Sequence, residues 1–203
     1  LELNGKTYGQ EVLFIANDWQ TGLVPVYLAH KYQKNQTYMN ARSMMVIHNI
    51  GYQGKYTKTD HPIDSFLGLP AEAQDDLQGE DLNMGTNCHN LLSAGIKVAD
   101  RVLTVSPNYA NEIQSPEGGC GLYDILKWKA GCLRLAGILN GISDEWNPRT
   151  DKNIPRNYSI KDYKEGKAEC KAALQKELGL HEDPGACLIG FCGRLCYQKG
   201  LPL

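Results

Sequence analysis

The feature that most constrains this chain is a recurrence of short apolar runs, each followed directly by polar or glycine residues. Each run is continuously hydrophobic rather than alternating, which is typical of strands buried on both faces, as in parallel sheets. The five segments are VLFIA before NDWQ, MMVI before HN, RVLTV before SPN, LAGIL before NG, and CLIGFC before GRL. The pattern therefore predicts five parallel strands.

Two stretches between these runs have helical character. Residues 86–99 place Leu91, Leu92 and Ile96 at helical spacings. Residues 165–178 are rich in helix-forming residues, and Gly179 is placed to end that helix. Strands that alternate with helices predict an α/β fold with an open parallel sheet, although the sequence does not give the strand order.

Composition excludes several classes of function. The formal net charge is −2, so we expect no nucleic-acid partner, which would require a basic face. No apolar run reaches membrane-spanning length, so we expect no membrane association. The seven cysteines are odd in number and irregularly spaced, which predicts free thiols. Possible ligands do not cluster at metal spacing, so we expect no metal. The familiar phosphate-binding loops are absent, so we expect no nucleotide cofactor and no other cofactor.

Polar side chains follow the predicted strands, at the edge where ligands bind in open parallel sheets. For Ser106 and Asn108 the SPN sequence is typical of a turn that begins a helix. His48 and Arg194 directly follow apolar runs, so we favour a functional role for them. The polar residues at the predicted strand ends are Asn17, Asp18, His48, Asn49, Ser106, Asn140, Arg194 and Lys199.

The stretch 141–163 contains two prolines, many polar residues and no clear periodicity, as expected of a connector. We therefore predict part of a first domain over residues 1–141, a connector over 142–164 and the start of a second α/β domain over 165–203. The last segment is too short to enclose a core of its own.

Several motifs, taken in order, resemble the ADP-glucose-dependent starch and glycogen synthases, and most closely the plant and algal soluble starch synthases. They are FIANDWQTGLVPVYL, MVIHNIGYQGKY, ADRVLTVSPNYANEI, GILNGISDEWNPRTDK, and KAECKAALQKELGL followed by IGFCGRLCYQKG. The resemblance implies a glycosyltransferase of the GT-B type, with two facing Rossmann-like domains. It implies glucosyl transfer from ADP-glucose to the non-reducing end of an α-1,4-glucan, with retention of configuration and without a metal, in starch biosynthesis.

The resemblance also implies roles for individual residues. Arg194 and Lys199 match the family's GRLDYQKG segment, whose cations contact the diphosphate and would stabilise charge developing on ADP. Asp18 and Gln20 match the family's NDWH block, where they would help to seat the glucose. Together these four form the predicted catalytic set. The predicted substrate-binding residues are Asn17, Trp19, His48, Asn49, Tyr52, Gln53 and Asn140.

Trp19 and Tyr52 fit either stacking on glucose rings or packing within the protein. The sequence departs from the family at Gln20, where the family has histidine, and at Cys196, where it has aspartate. The family's Lys-Thr-Gly-Gly-Leu loop would precede Leu1, and its Glu-x-x-Gly-Leu segment would follow Leu203. We therefore expect these 203 residues alone to be inactive, because the site needs donors from both domains.

Two other functions stay open at this point. One is a UDP-glucose-using relative such as a sucrose synthase, and the other is a non-catalytic glucan-binding or complex-assembly protein derived from a synthase. For the synthase, the expected partners are ADP-glucose, an α-1,4-glucan and other starch-biosynthetic enzymes. We expect it in the plastid (chloroplast or amyloplast) of a plant or alga, or in the cytoplasm of a bacterium.

Overall fold

The computed structural model describes residues 2–3, 6–196 and 199–200. Tyr197 and Gln198 of the last motif, and the final residues Leu201–Leu203, lie outside this description. The chain forms two compact units, Leu1–Asn140 and Gly141–Leu203.

The first unit contains all the strands of the described residues. They are β1 (Glu2–Leu3), β2 (Lys6–Thr7), β3 (Leu13–Asn17), β4 (Arg42–Ile47), β5 (Lys55–Thr57), β6 (Gln78–Asp81), β7 (Gly85–Asn90), β8 (Arg101–Thr104) and β9 (Leu135–Gly137). Its α-helices are α1 (Leu23–Tyr27), α2 (Gln74–Leu77), α3 (Leu91–Val98), α4 (Pro107–Glu112) and α5 (Tyr123–Gly131). Single-turn 3₁₀ segments lie at Trp19–Thr21, Gln33–Asn35 and Ala71–Ala73, and a π-turn lies at Leu28–Tyr32.

Four of the five predicted strands form one parallel sheet in the order β3-β4-β8-β9, which confirms the predicted fold class. Fully buried side chains of this sheet, among them Met45, Ile47 and Val102, pack with Leu92 and Ile96 of α3 into the main core. A smaller antiparallel sheet, in the order β5-β7-β6, and the two-stranded β1-β2 sheet complete the strand pairing.

The prediction that every strand is buried on both faces is wrong for β3. Leu13 and Ile15 on this strand are exposed, whereas Phe14 is half-buried and Ala16 is buried. Side chains alternate between the two faces of a strand. Among the described residues, therefore, only the face that carries Phe14 and Ala16 is well covered.

The predicted helix over 86–99 begins later than expected. Residues 85–90 form β7, which pairs with β5 and β6, and α3 begins at Leu91. Asn90 has an extended backbone, and its Oδ1 accepts a hydrogen bond from the Ser93 N–H at 3.0 Å. The asparagine side chain thus caps the helix and sets the boundary between strand and helix.

The second unit contains α6 (Tyr163–Glu177), which confirms the predicted helix over 165–178. Gly179 adopts φ +64°, and the N–H of Leu180 donates to the Gln175 carbonyl at 2.8 Å. These features form a Schellman cap, so Gly179 ends the helix as predicted. A short 3₁₀ turn lies at Asp144–Trp146.

The fifth predicted strand, within CLIGFC at 187–192, does not form. Its apolar side chains Ile189 and Phe191 are exposed. A strand is stabilised by backbone hydrogen bonds to a neighbouring strand. The described residues of the second unit contain no strand with which this segment could pair.

Gly22 lets the turn after β3 approach the start of α3 closely. A Cβ at this position would lie 2.3 Å from the Leu91 carbonyl oxygen, which belongs to the backbone and cannot rotate away. Gly95, one turn along α3, faces the same contact, because its Cβ would lie 2.9 Å from the Gly22 carbonyl oxygen. The two glycines therefore fix how closely the turn carrying Trp19 packs on α3.

Substitution of Gly22 by alanine should disturb this contact. We expect Gly22→Ala to lower the free energy of unfolding by about 1–3 kcal/mol, because the new methyl group forces the two segments apart. Gly131→Ala is the matched control, since a Cβ there meets no atom within 4 Å. Urea denaturation followed by circular dichroism measures both changes. Equal stability of the two variants would contradict the proposed close packing.

Candidate functional site

The carboxyl ends of β3 and β4 lie side by side and are joined through the Asp18 side chain. The two strands are parallel, and Asn17 is level with Val46. Asp18 Oδ1 accepts hydrogen bonds from the backbone N–H groups of His48 at 2.7 Å and Asn49 at 3.3 Å. A carboxylate that accepts from backbone N–H groups forms charge-assisted hydrogen bonds, which are stronger than neutral ones.

The Asp18 backbone is itself unusual. Its φ of 51° and ψ of −171° lie in a region that glycine occupies far more easily than other residues. The backbone N–H of Asp18 donates to the Val46 carbonyl at 2.9 Å, which continues the ladder between the strands. Surrounding hydrogen bonds thus hold Asp18 in a conformation that is costly for an aspartate, as is common at functional sites.

Asn17 and His48 extend this contact to the surface. Asn17 Oδ1 lies 3.0 Å from His48 Nε2, and both side chains are exposed. Because an amide oxygen can only accept, this contact requires a proton on Nε2 of His48. The Thr21 hydroxyl donates to the Asn17 carbonyl at 2.7 Å, which ties the following turn to the strand end. The structure therefore brings Asn17, Asp18, His48 and Asn49 together.

Gln53 is buried and supports the loop that follows β4. Its Nε2 donates to the carbonyls of Ile50 at 3.2 Å and Cys120 at 2.9 Å. Its Oε1 accepts from Asn90 Nδ2 at 2.7 Å, and Asn90 is also the cap of α3. Both N–H groups and the oxygen of the Gln53 amide thus have partners within the protein, so its main contribution to a binding site is to hold the loop.

Trp19 and Tyr52 have different environments. Trp19 is half-buried, packs against the main core, and covers Gly54 so closely that a Cβ there would lie 2.4 Å from its ring. Tyr52 is 45% exposed. Both line a cleft of about 440 Å³, here called the tyrosine cleft, together with Gly51, Gln53, Gly54, Lys55, Asp81 and Cys120. Packing accounts for Trp19, and Tyr52 is the one of the two whose ring is more open to a ligand.

The remaining predicted residues of the first unit are Gln20 and Asn140, and both are exposed. Gln20 lies in the 3₁₀ turn directly after Asp18. Asn140 is the last residue of the unit and follows β9, whose final residue is Gly137. A Cβ at Gly137 would lie 2.0 Å from the Ser106 carbonyl oxygen. Ser106 itself caps α4 by accepting from the Tyr109 N–H at 2.9 Å, which confirms its interpretation as a helix start.

Arg194 and Lys199 belong to the second unit, where both side chains are exposed. Two backbone hydrogen bonds link their positions: the Cys196 N–H donates to the Arg194 carbonyl at 2.9 Å, and the Lys199 N–H donates to the Cys196 carbonyl at 3.0 Å. The backbones of both cations are thus hydrogen-bonded to Cys196.

The sequence reasoning missed three supporting residues. They are Asn90, the Cys120 carbonyl, and Tyr109, whose hydroxyl accepts from the Ile50 N–H at 3.2 Å. Burial is the main cause that raises the pKa of Tyr109, which keeps the hydroxyl neutral. Asn90 could have been found, because an asparagine before an apolar helical run is a typical cap. The other two contacts have no local sequence signal.

Residues 2–3, 6–196 and 199–200 contain no group of three or more His, Cys, Asp or Glu side chains arranged to hold a metal ion. None of the helices found there is long and apolar enough to cross a membrane. All seven cysteines are free thiols.

The profile described as the starch synthase catalytic domain matches residues 2–128, which is more than half of the chain. The chain belongs to this starch synthase family. The resemblance found in the motifs is therefore confirmed, and neither the sucrose synthase nor the assembly-protein alternative is favoured.

Individual starch synthases are similar along the whole chain. "Soluble starch synthase 1, chloroplastic/amyloplastic" of Oryza sativa subsp. japonica is 45% identical over 212 aligned residues, which cover 100% of this chain and 32% of the rice protein. "Starch synthase 1, chloroplastic/amyloplastic" of Arabidopsis thaliana is also 45% identical, with 100% of this chain and 31% of that protein covered. The chain thus spans about a third of the length of these curated relatives.

A solved starch synthase has a similar fold. The catalytic domain of starch synthase IV from Arabidopsis thaliana, bound to ADP and acarbose, superposes with a TM-score of 0.65 at 33% identity. The match covers 83% of this chain and 33% of that chain. It supports the α/β architecture of this starch synthase chain.

The positive φ of Asp18 should reverse the usual order of stability between an alanine and a glycine substitution. Asp18→Ala and Asp18→Gly both remove the acceptor for His48 and Asn49, but only glycine relieves the positive φ. We expect the alanine variant to be less stable than the glycine variant by about 1 kcal/mol or more, whereas alanine is normally the more stable residue. Chemical denaturation of both variants tests this order. A more stable alanine variant would show that Asp18 is not strained.

The buried Gln53 amide should be hard to replace. We expect Gln53→Leu to lower the free energy of unfolding by about 2–4 kcal/mol, because two carbonyls and the Asn90 amide lose their partner. The exposed Gln20 offers the matched control, and Gln20→Leu should change stability by about 0.5 kcal/mol or less. Thermal unfolding and urea titration measure both. If Gln53→Leu is as stable as Gln20→Leu, the network does not support the loop.

Proposed function

We propose that this chain is part of a starch synthase that transfers glucose from ADP-glucose to the non-reducing end of an α-1,4-glucan, with retention of configuration. The observation that carries the proposal is that the family's motif residues Asp18, His48 and Asn49 meet in one hydrogen-bonded cluster at the carboxyl edge of the parallel sheet. Ligands of open α/β sheets bind at this edge.

In the proposed reaction, the bond between glucose C1 and the phosphate oxygen of ADP breaks, and C1 bonds to the 4-hydroxyl of the acceptor. The hydroxyl proton is released, and ADP leaves with increased negative charge. Arg194 and Lys199 are exposed cations whose backbones are both hydrogen-bonded to Cys196, which suits them to bind a diphosphate and stabilise that charge. Arginine offers a planar fork of donors, whereas lysine acts as a point charge.

The first unit would supply the sugar-binding groups. Asn17, His48 and the exposed Gln20 present hydrogen-bonding groups at the strand ends, and the Asp18 carboxylate holds the His48 backbone. Gln20 can donate and accept hydrogen bonds but cannot take up a proton, so its proposed role is to hold the glucose. The reaction as proposed needs no metal or other cofactor, since the two cations neutralise the leaving group.

The proposal extends to location and partners. Rice and Arabidopsis starch synthases 1, whose names place them in chloroplasts and amyloplasts, are 45% identical to this chain. We therefore infer a plastid location, where ADP-glucose and the growing glucan are the substrates. Association with other starch-biosynthetic enzymes forms part of the same proposal.

The test is glucosyl transfer by the natural polypeptide that contains this chain, with maltoheptaose as acceptor. We expect labelled glucose to transfer from ADP-glucose in strong preference to UDP-glucose. Arg194→Ala and Lys199→Ala should each lower kcat about 100-fold or more, because each removes a group that stabilises the transition state. Arg149→Ala, at an exposed arginine of the same unit, is the matched control.

Other results point to other functions. Preference for UDP-glucose would favour a relative of the sucrose synthases. Binding of maltoheptaose without any transfer from either donor would favour a glucan-binding protein. Full activity of both alanine variants would refute the proposed roles of Arg194 and Lys199.

A further inference from the structure

His89 is a fully buried histidine that takes no part in the proposed reaction. It stands next to last in β7 and is 1% exposed. Neither Nδ1 nor Nε2 of its ring has a partner at hydrogen-bonding geometry among the residues that the structure describes. Burying a polar group without a hydrogen bond is costly, and burying a charge without a partner is far more so. The position therefore holds a neutral imidazole and strongly opposes an imidazolium.

The described side chains around His89 include no carboxylate that could pair with a proton on its ring. On the neighbouring strands, His89 is level with Tyr56 of β5 and Gln78 of β6. The Gln78 Oε1 accepts a hydrogen bond from Lys58 Nζ, which holds this ammonium nearby. The titratable groups that act on His89 are Lys58 and His61, and each adds positive charge when protonated. The other side chains that share a small pocket with His89 are uncharged: Leu23, Phe66, Leu67 and Leu91.

These surroundings make the stability of the fold depend on pH. Burial is the main cause that lowers the pKa of His89 from its ordinary value of 6.5. The nearby His61 backbone offsets part of this shift, and the positive charges of Lys58 and His61 add to it. The unfolded chain therefore takes up a proton near pH 6.5 that the folded chain does not. The contribution of a neutral His89 to stability is complete above that pH and is lost as the pH falls below it.

The residues that follow His89 hold the loop of the candidate site. Asn90 Nδ2 donates to the Gln53 Oε1 at 2.7 Å. The N–H of Leu92, in the first turn of α3, donates to the Gln53 carbonyl at 3.0 Å. The end of β7 and the start of α3 are thus tied to the loop after β4. An opening of β7 at His89 would release this support.

We propose that His89 is an acid-sensitive switch: a proton on its imidazole opens the end of β7 and loosens the loop after β4 that Asn90 and Gln53 hold. The loop is fully ordered at neutral pH and loosens reversibly in mild acid. The switch is a property of the fold and does not depend on the proposed glucosyl transfer.

Hydrogen–deuterium exchange with mass spectrometry tests the switch on the natural polypeptide that contains this chain. Protection is compared at about pH 7.5 and about pH 5.5, after correction for the pH dependence of intrinsic exchange. We expect wild-type protection over residues 87–92 and 48–54 to fall about fivefold to tenfold. One proton that binds only the open form, with a pKa of about 6.5, shifts the opening equilibrium by at most about tenfold over this range.

Two variants remove the titrating group. His89→Leu places an apolar side chain of similar size in the same space, so protection should change by less than about twofold between the two pH values. His89→Gln keeps polar atoms but cannot take up a proton, and it should show the same independence of pH. His181→Leu is the matched control, because His181 is an exposed histidine of the second unit. This control should keep the wild-type fall in protection.

Circular dichroism at neutral pH confirms that each variant is folded before exchange is measured. Protection in the wild type that does not change with pH would overturn the switch by itself, whatever the variants do. An equal fall in the wild type and in a folded His89 variant would also overturn it, because the titrating group would then lie elsewhere. Loss of protection over residues 87–92 without any loss over 48–54 would refute the link to the candidate site.

Discussion

The arrangement of the candidate site depends on one carboxylate. Asp18 directly follows β3 and accepts hydrogen bonds from the two backbone N–H groups that follow β4. It therefore fixes the position of one loop relative to the other where they leave the two strands. A backbone group cannot change rotamer, which makes this a firmer link than a contact between two surface side chains. The exposed Asn17 and His48 meet because the backbones beneath them are held in register.

The parallel strands were predictable, because short continuous apolar runs such as MMVI and RVLTV are typical of strands that are buried on both faces of a parallel sheet. The start of α3 was harder to predict from the sequence, because Cys88 and His89 precede it and are buried, as the core-facing residues of a helix are. The CLIGFC segment forms no strand although it is apolar, because hydrophobicity marks a potential strand whereas pairing requires a neighbouring strand.

Sequence motifs identified the candidate site residues more readily than they identified what supports them. Asp18 and His48 stand in recognisable blocks, but the contact between Gln53 and the Cys120 carbonyl joins residues 67 positions apart. Such a link between a side chain and a backbone carbonyl leaves no pattern in composition or spacing, because any residue at position 120 supplies the same carbonyl. The role of Gln53 as a support, rather than a group open to a ligand, could be read only from three-dimensional contacts.

The close approach of Gly137 to the Ser106 carbonyl has a consequence for how the sheet edge can diversify. No side chain of any size fits at the end of β9, and the neighbouring strand end uses Ser106 to begin a helix. The spacing between the β8 and β9 ends therefore requires glycine at position 137, whereas the exposed side chains at the β3 and β4 ends, such as Asn17 and His48, have room to vary.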